Sequence, residues 1–220
     1  MLALAKTLAD PIEAEAQTGR LRIGAIASVH PTLLLKAVPA FKQVFPHVHV
    51  QVIPGTSLEL LNQLDAGDLD LAILIRPAFG IAQNLAWDTL VQEPFVLATA
   101  RSQDIRDVRE ALSTLPFLRY HRSSFGGRKV ARFLEEQGIL VQDWAELDDI
   151  PTLLAMVEQG LGIAIVPQVR AYREAFDRIQ VLDIDEPAFV REIGILRASS
   201  RANVASRFVT TCRDIIVAQA

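Results

Sequence analysis

The sequence predicts an α/β fold built from two similar lobes, and three observations support this prediction. Strand-like and helix-like segments alternate along the first third of the chain. Two distant stretches, residues 60–77 (LLNQLDAGDLDLAILIRP) and 153–167 (LLAMVEQGLGIAIVP), resemble each other. Each combines an amphipathic helix that ends at glycine with an apolar strand closed by proline. We therefore expect two lobes of similar architecture, and a cleft at a lobe boundary is a common place for a small ligand.

The first lobe begins with a strand, a helix and a second strand. Residues 20–28 alternate in strand fashion, and residues 47–55 (HVHVQVIPG) carry valine at every second position, which is typical of a strand. Residues 32–45 form the predicted helix between them. Pro31 suits its first turn, where the missing N–H group costs nothing.

The next two elements continue the alternation. Thr56 and Glu59 have the spacing of a capping box, which predicts the start of a helix that ends at Gly67. An apolar strand follows at residues 69–75. This β-α-β-α-β order predicts a mainly parallel sheet with helices on both faces.

The rest of the chain is predicted in the same way from apolar periodicity and turn residues. We expect strands at 94–100, 116–120, 138–142, 163–166 and 191–198, an edge or crossing segment at 178–187, and helices at 103–112, 128–137, 153–159 and 204–217.

Composition argues against several classes of protein. The formal net charge is -4 and no basic run exceeds Arg128-Lys129, so this chain alone is not expected to hold DNA. The single cysteine, Cys212, cannot form a disulfide within the chain, which favours a reducing compartment and a buried structural role. No apolar run approaches the about 20 residues of a membrane span. No secretory signal is predicted either.

No pattern in the sequence predicts catalysis, a metal or a cofactor. The chain lacks G-x-S-x-G, H-E-x-x-H, Cys-x-x-Cys and the P-loop pattern. His47 and His49 share one strand face and have the spacing of a metal pair, but no third ligand accompanies them. Solvent-facing histidines are the favoured interpretation.

Polar residues at the ends of predicted strands are the candidate ligand contacts. In open α/β sheets, ligands bind beyond the carboxyl ends of the strands, where helix N-termini present N–H groups. Ser28 ends the first strand, and Thr56 and Ser57 follow the second. The alternatives are a loop or capping role for Ser28 and a purely structural cap for Thr56.

The stretch RYHRSS closes the strand at 116–120 and supplies candidates from the second lobe. Arg119, His121, Arg122 and Ser123 are expected to line the opposite cleft wall. The two arginines and the histidine can pair with a carboxylate or phosphate, each charge-assisted hydrogen bond being worth about 1.5–3 kcal/mol. Solvated surface arginines are the alternative.

Several segments together resemble the effector-binding domain of LysR-type transcriptional regulators. They are RLRIGAIAS, PAFKQVFPHVHVQVIPG, LLNQLDAGDLDLAI, EPFVLAT and LLAMVEQGLGIAIVP. The resemblance spans about residues 19–217, and G-x-LDLAI followed by V-x-x-GLGIAIVP is fairly specific. It implies an α/β fold of the type 2 periplasmic-binding-protein kind, with two Rossmann-like lobes joined by two crossing strands.

The resemblance also implies an organisation of the chain. Lobe one is expected at residues 20–92 plus 188–217, lobe two at 93–187, and hinges near 93–94 and 185–187. Residues 1–18 resemble the end of the family's linker helix. The winged helix-turn-helix that precedes this linker in the family is absent from this chain.

Family positions add to the expected site. Positions that match Ser28, Thr56 and Ser57 commonly contact the effector in the family, and Pro167 corresponds to a position beside it. Asp149 starts the helix near residue 153 and is included among the effector-binding residues, although a plain N-cap is its simplest role.

The expected function is therefore effector sensing and oligomerisation in a cytoplasmic bacterial transcription regulator. A small, anionic metabolite is expected in the cleft between the lobes, where it changes their relative angle. Partners implied by the resemblance are a second copy in a side-by-side antiparallel homodimer, a homotetramer in the full-length protein, and DNA only through the missing N-terminal domain.

Residues 32–45 carry more apolar side chains than one buried face needs, and a self-association surface is one explanation. The alternatives are an exported solute-binding receptor of the same fold, which requires a signal peptide, and an enzyme on this scaffold, which turns its ligand over.

Overall fold

The computed structural model describes residues 18–199 and 204–218. The described chain divides into two compact units. Unit 1 comprises the described parts of residues 1–74, 79–90 and 194–220, and unit 2 comprises residues 75–78 and 91–193. The predicted linker-helix end lies outside the described residues except for Thr18, with which the first strand begins.

Unit 1 contains the predicted parallel strands. The strands β1 (Thr18–Ala25), β2 (His47–Pro54) and β3 (Leu71–Ile75) are parallel, with β1 in the middle. The connections are helical, as expected: α1 (Leu35–Val44) lies between β1 and β2, and α2 (Ser57–Asp65) lies between β2 and β3.

The start of the first helical segment differs from a regular helix. A 3₁₀ turn at Ala27–Val29 leads into a π-helical turn at His30–Leu34, with Pro31 in its first turn as predicted. The ring of Phe41 on α1 is fully buried, with its centroid 5.3 Å from that of Phe208. Phe208 lies on the closing helix α7 (Val204–Val217), whose bounds match the prediction.

Two long strands belong to both units. The strand β4 (Leu85–Thr99) enters unit 2 after Leu90, and β9 (Val190–Ala198) returns to unit 1 at Gly194. In unit 1 the strand order is β2-β1-β3-β9-β4. The segment predicted as a strand at 191–198 forms β9, which lies between β3 and β4.

Unit 2 is a mixed α/β unit. Its remaining elements are α3 (Val108–Thr114), β5 (Pro116–Tyr120), α4 (Phe125–Glu136), β6 (Gln142–Leu147), α5 (Ile150–Glu158), β7 (Ala164–Pro167), α6 (Arg173–Phe176) and β8 (Gln180–Asp183). Both β7 and β8 are antiparallel to β4, whereas β5 and β6 are parallel. No helix among the described residues is long and apolar enough to span a membrane.

The two look-alike stretches form the same local structure. Leu60 and Leu153 lie at matching positions of α2 and α5, and both are fully buried. Gly67 and Gly160 follow these helices with φ values of 79° and 75°, a left-handed conformation that glycine adopts without steric cost. The predicted repeat is confirmed element by element.

Two predicted elements in unit 2 are displaced. Residues 138–142 are not a strand, because Gly138 (φ 61°) ends α4 and Ile139 donates its amide back to Leu134 O at 2.8 Å. The strand begins instead at Gln142. The helix predicted at 103–112 starts later, because the Asp107 carboxylate accepts bonds from the first amides of α3.

Candidate functional site

The polar strand-end residues of unit 1 are brought to one edge of its sheet. In the parallel pair of β1 and β2, Ala25 is opposite Pro54, so the chain leaves both strands at the same level. Ser28 follows in the 3₁₀ turn and is buried, while Ser57 is buried in the first turn of α2. The amide-rich ends of two helical segments therefore lie beside these serines, which suits a ligand with hydrogen-bond acceptors.

Thr56 is the N-cap of α2, and the predicted capping box is confirmed. Its hydroxyl accepts from the Glu59 amide at 3.4 Å, and its own amide donates to the Glu59 carboxylate at 2.8 Å. The Thr56 hydroxyl also donates to Glu59 Oε2 at 2.9 Å, and the two bonds donated to the Glu59 carboxylate hold its pKa below its ordinary value. The cap fixes how the chain enters α2, which also fixes the position of Ser57.

The turn after β1 is held by its own polar groups. Thr32 donates its hydroxyl to Ser28 O at 3.2 Å, and His30 Nε2 lies 3.2 Å from Ala25 O. The backbone around Ser28 is therefore fixed independently of the Ser28 side chain.

In unit 2 the two predicted anion-binding arginines are paired with carboxylates of β6. Arg119 Nε donates to Asp143 Oδ1 at 2.6 Å, and its guanidinium lies 5.1 Å from the centre of the Phe117 ring. Arg122 pairs with the other oxygen of Asp143, and its amide donates to Glu146 Oε1 at 2.8 Å. Two cations and two carboxylates balance one another here.

His121 and Ser123 form a small hydrogen-bonded turn after β5. The Ser123 amide donates to His121 Nδ1 at 3.2 Å, and the Ser123 hydroxyl lies 2.7 Å from the same nitrogen. Gly127 packs under this turn, since a Cβ there would lie 1.9 Å from His121 O.

The remaining two predicted residues also lie in unit 2. Asp149 is the N-cap of α5 and accepts from the Thr152 amide at 2.8 Å, which confirms the predicted cap. Pro167 ends β7, is buried and is opposite Phe95 on β4.

A buried polar group that the sequence analysis missed surrounds Arg191. Its guanidinium is 1% exposed and pairs with Glu93 through Nη2 at 2.5 Å and Nε at 2.7 Å. Burial raises the pKa of the Glu93 carboxyl, and the guanidinium opposes that rise. Burial also raises the pKa of the neighbouring Tyr120. Both strands contain other charged residues, Asp88 in β4 and Glu192 and Arg197 in β9, so the sequence does not distinguish this pair.

A second missed group lies around Glu192. Arg76 Nη1 donates to both Glu192 carboxylate oxygens at 3.1 Å, and Lys129 Nζ donates to Val190 O at 2.8 Å. Burial lowers the pKa of Lys129, while Glu192 raises it and the charge of Arg76 lowers it further. Arg76 directly follows β3, so the strand-end rule applied to Ser28 and Thr56 also selects it.

Among residues 18–199 and 204–218, no three or more histidine, cysteine, aspartate or glutamate side chains are grouped so that they could hold a metal. His47 and His49 are exposed on β2.

The fold is that of the periplasmic-binding-protein-like effector domains. The regulatory domain of Synechocystis PCC6803 CcmR in complex with 2-PG superposes with a TM-score of 0.78 at 19% identity, over 90% of this chain and 98% of that chain. The BenM effector binding domain with its effector benzoate superposes with a TM-score of 0.75 at 16% identity, over 91% and 93%.

Sequence comparison identifies the family. The family described as the LysR substrate binding domain matches residues 14–216, and the chain belongs to it. The HTH-type transcriptional regulator TtuA of Agrobacterium vitis is 30% identical over 164 residues, which is 71% of this chain and 53% of TtuA. The regulator GltR of Bacillus subtilis is 24% identical over 92% of this chain and 69% of its own length. The chain thus spans about half the length of TtuA.

Proposed function

We propose that this chain is the effector-sensing domain of a LysR-type transcription regulator and binds a small metabolite reversibly. The observation that carries the proposal is the parallel register of β1 and β2, which sets Ser28, Thr56 and Ser57 at one sheet edge. Membership of the LysR substrate binding family supports it. Benzoate, the effector named for BenM, supports a small anionic ligand.

The residues that we propose for effector binding are Ser28, Thr56 and Ser57 in unit 1 and Arg119, His121, Arg122, Ser123, Asp149 and Pro167 in unit 2. Because Arg119 and Arg122 are already paired with Asp143 and Glu146, their proposed role is to fix the turn after β5. The ligand then meets the amides and hydroxyls of that turn.

A ligand acts as a switch only if it prefers one conformation of the protein over another. Coupling free energies of about 1–3 kcal/mol are typical of such switches, and micromolar affinity corresponds to about 8 kcal/mol. We propose that only this smaller part of the binding free energy transmits the signal. The bound metabolite leaves chemically unchanged, because the proposed role includes no catalysis.

The longer protein is proposed to act as a cytoplasmic regulator that binds DNA through a winged helix-turn-helix preceding this domain. We propose a homodimer for this domain and a homotetramer for the full-length protein. In the dimer, α1 and β2 of one copy would face unit 2 of the other.

A thermal-shift screen of small metabolites tests the proposal, with each hit repeated on Ser28→Ala and Ser57→Ala. We expect a hit to raise the melting temperature of the parent chain and to lose at least tenfold in affinity for either variant. Asp107→Ala is the matched control, since it removes the helix cap of α3 in unit 2, whereas Ser28 and Ser57 lie in unit 1. Equal affinity in all variants would show that the site lies elsewhere.

A further inference from the structure

Unit 2 carries an open depression beside the end of β4. Its volume is about 520 Å³, and most small-molecule sites measure about 300–1,000 Å³. Two segments line it, the turn after β4 and the beginning of β8. The lining residues are Arg101, Ser102, Gln103, Asp104, Ile179 and Gln180. Ile179 is the one apolar residue among these six, and it is buried. The depression therefore suits a small hydrophilic molecule.

Backbone pairing and a polar turn hold the two segments together. Thr99, the last residue of β4, is opposite Gln180, the first residue of β8. The Thr99 hydroxyl donates to Gln103 Oε1 at 2.5 Å, and the Gln103 amide donates to Ala100 O at 3.0 Å. Because the Gln103 side-chain oxygen already accepts a hydrogen bond, the nitrogen of that side chain remains as a donor.

The guanidinium of Arg101 is held in place by two neutral groups. Its Nε donates to Ile179 O at 3.4 Å, and its Nη2 donates to Asp177 O at 2.5 Å. These carbonyls fix the orientation of the guanidinium without cancelling its charge. A guanidinium has five N–H groups, so the two on Nη1 are left for a further acceptor.

Arg101 also has no carboxylate partner in the described part of the chain. No ion pair within 4 Å among residues 18–199 and 204–218 includes it. Asp104 pairs with Arg106 through Oδ2 at 3.0 Å, and the Asp177 carboxylate pairs with Arg173 at 3.8 Å. The positive charge of Arg101 is therefore left for a ligand.

We propose that this depression binds a small oxyanion, a carboxylate or a phosphate group, at Nη1 of Arg101. A planar guanidinium presents its N–H groups in the geometry that both kinds of oxyanion accept. Ser102 is exposed and its hydroxyl makes no hydrogen bond within the described residues, so it supplies a second donor. This site goes beyond the proposed function, because it shares no residue with the proposed effector site.

The test uses acetate and inorganic phosphate as probes, added to the ¹⁵N-labelled chain at constant ionic strength and followed by NMR. We expect saturable shifts of the backbone amides of residues 101–104. Arg101→Gln should weaken binding at least tenfold, and Ser102→Ala severalfold. Arg132→Gln is the matched control, since Arg132 is an exposed arginine of the same unit that pairs with Glu136. It should change the affinity less than twofold.

Asp104→Asn separates recognition from damage to the turn. The Asp104 carboxylate repels an anion that enters the depression, so its removal should tighten binding severalfold. A damaged turn predicts the opposite sign. Arg101→Lys keeps the charge but lacks the planar set of donors, and its affinity should lie between those of the parent and Arg101→Gln.

The absence of saturable shifts with both anions would overturn this assignment, and so would an affinity that Arg101→Gln leaves unchanged. Shifts confined to the amides of Ser28 and Ser57 would also overturn it, because they place the anion at the proposed effector site. The proposed function fails by a different observation, if no metabolite in the thermal-shift screen stabilises the parent chain.

Discussion

The buried ion pair of Arg191 and Glu93 makes the stability of the protein sensitive to a single substitution. Arg191 is enclosed in unit 2, where its guanidinium forms an ion pair with Glu93. Such a pair adds little net stability, but removing one partner leaves the other charge buried. We therefore expect Arg191→Met to lower the free energy of unfolding by about 3–5 kcal/mol, measured by urea denaturation.

The pH dependence of this variant has a definite sign. Without the guanidinium, burial alone acts on Glu93 and raises its pKa further above the ordinary value of 4.5. A carboxyl with a raised pKa in the folded state costs stability above that pKa and none below its unfolded value. The loss of unfolding free energy in Arg191→Met should therefore become smaller as the pH falls towards 4.5. The double variant Glu93→Leu/Arg191→Met should regain most of that free energy. A deficit independent of pH would contradict this account.

Cys212 is the second residue whose chemistry is set by burial. Its thiol is fully buried on α7, and burial raises its pKa to about 12. Only thiolates react with iodoacetamide, and the thiol of an exposed cysteine has a pKa of about 8.5. At pH 8 we expect alkylation of the native chain to be at least about 100-fold slower than in 6 M guanidinium chloride. Mass spectrometry of timed samples measures both rates, and equal rates would show that the α7 contact opens readily.

Helix caps were predictable from the sequence because their chemistry is local. Thr56 and Glu59 form the expected capping box, and Asp149 forms the expected cap of α5. We expect Thr56→Ala to lower the free energy of unfolding by about 1 kcal/mol, whereas Thr56→Ser retains the hydroxyl and should lose only a few tenths. Urea denaturation of both variants at pH 7 provides the comparison. A larger loss in the serine variant would point to the Thr56 methyl group instead.

The Glu59 carboxylate of the capping box predicts a pH dependence of stability. Hydrogen bonds from Thr56 lower the pKa of Glu59. The contribution of the Glu59 carboxylate to the free energy of unfolding is therefore present above the ordinary pKa of 4.5, and it disappears as the pH falls through the lowered pKa. The stability difference between the parent and Glu59→Gln should be largest at neutral pH and vanish in acid. Melting curves from pH 7 down to 3 follow it, with Asp107→Asn at the α3 cap for comparison.

Elements whose stability depends on distant partners were predicted less well. The strand β6 was expected four residues too early, since half of its six residues are polar and its parallel pairing with β5 defines it. The same error concealed the pairing of Arg119 with Asp143, which requires β6 in its true register. Periodicity records which face an element buries, but it does not record which charged side chain lies across from it.

For the whole molecule, the sequence predicted the α/β class, the repeated helix and strand, and the family. These features depend on many residues that agree with one another, so a few ambiguous segments do not change the outcome. The effector-binding residues stay a prediction: the strand-end rule selected Ser28, Thr56 and Ser57, which the structure places just after β1 and β2. The ion pair of Arg191 with Glu93 was beyond this method, because it depends on burial and on a partner distant in sequence.

The exposed apolar residues of α1 give the last prediction, which concerns assembly. Leu35 and Val44 are 69% and 68% exposed, although most leucines and valines of the described chain are at least partly buried. The two side chains lie on opposite sides of α1. Covering a side chain of this kind contributes about 1.5–3 kcal/mol, so a contact between two copies gains from whichever of the two it covers. We expect Leu35→Glu/Val44→Glu to convert the proposed dimer into a monomer in sedimentation experiments. Val217→Glu, at a residue 76% exposed on α7, is the control that should remain dimeric. A dimer that withstands the α1 double variant would mean that another surface joins the two copies.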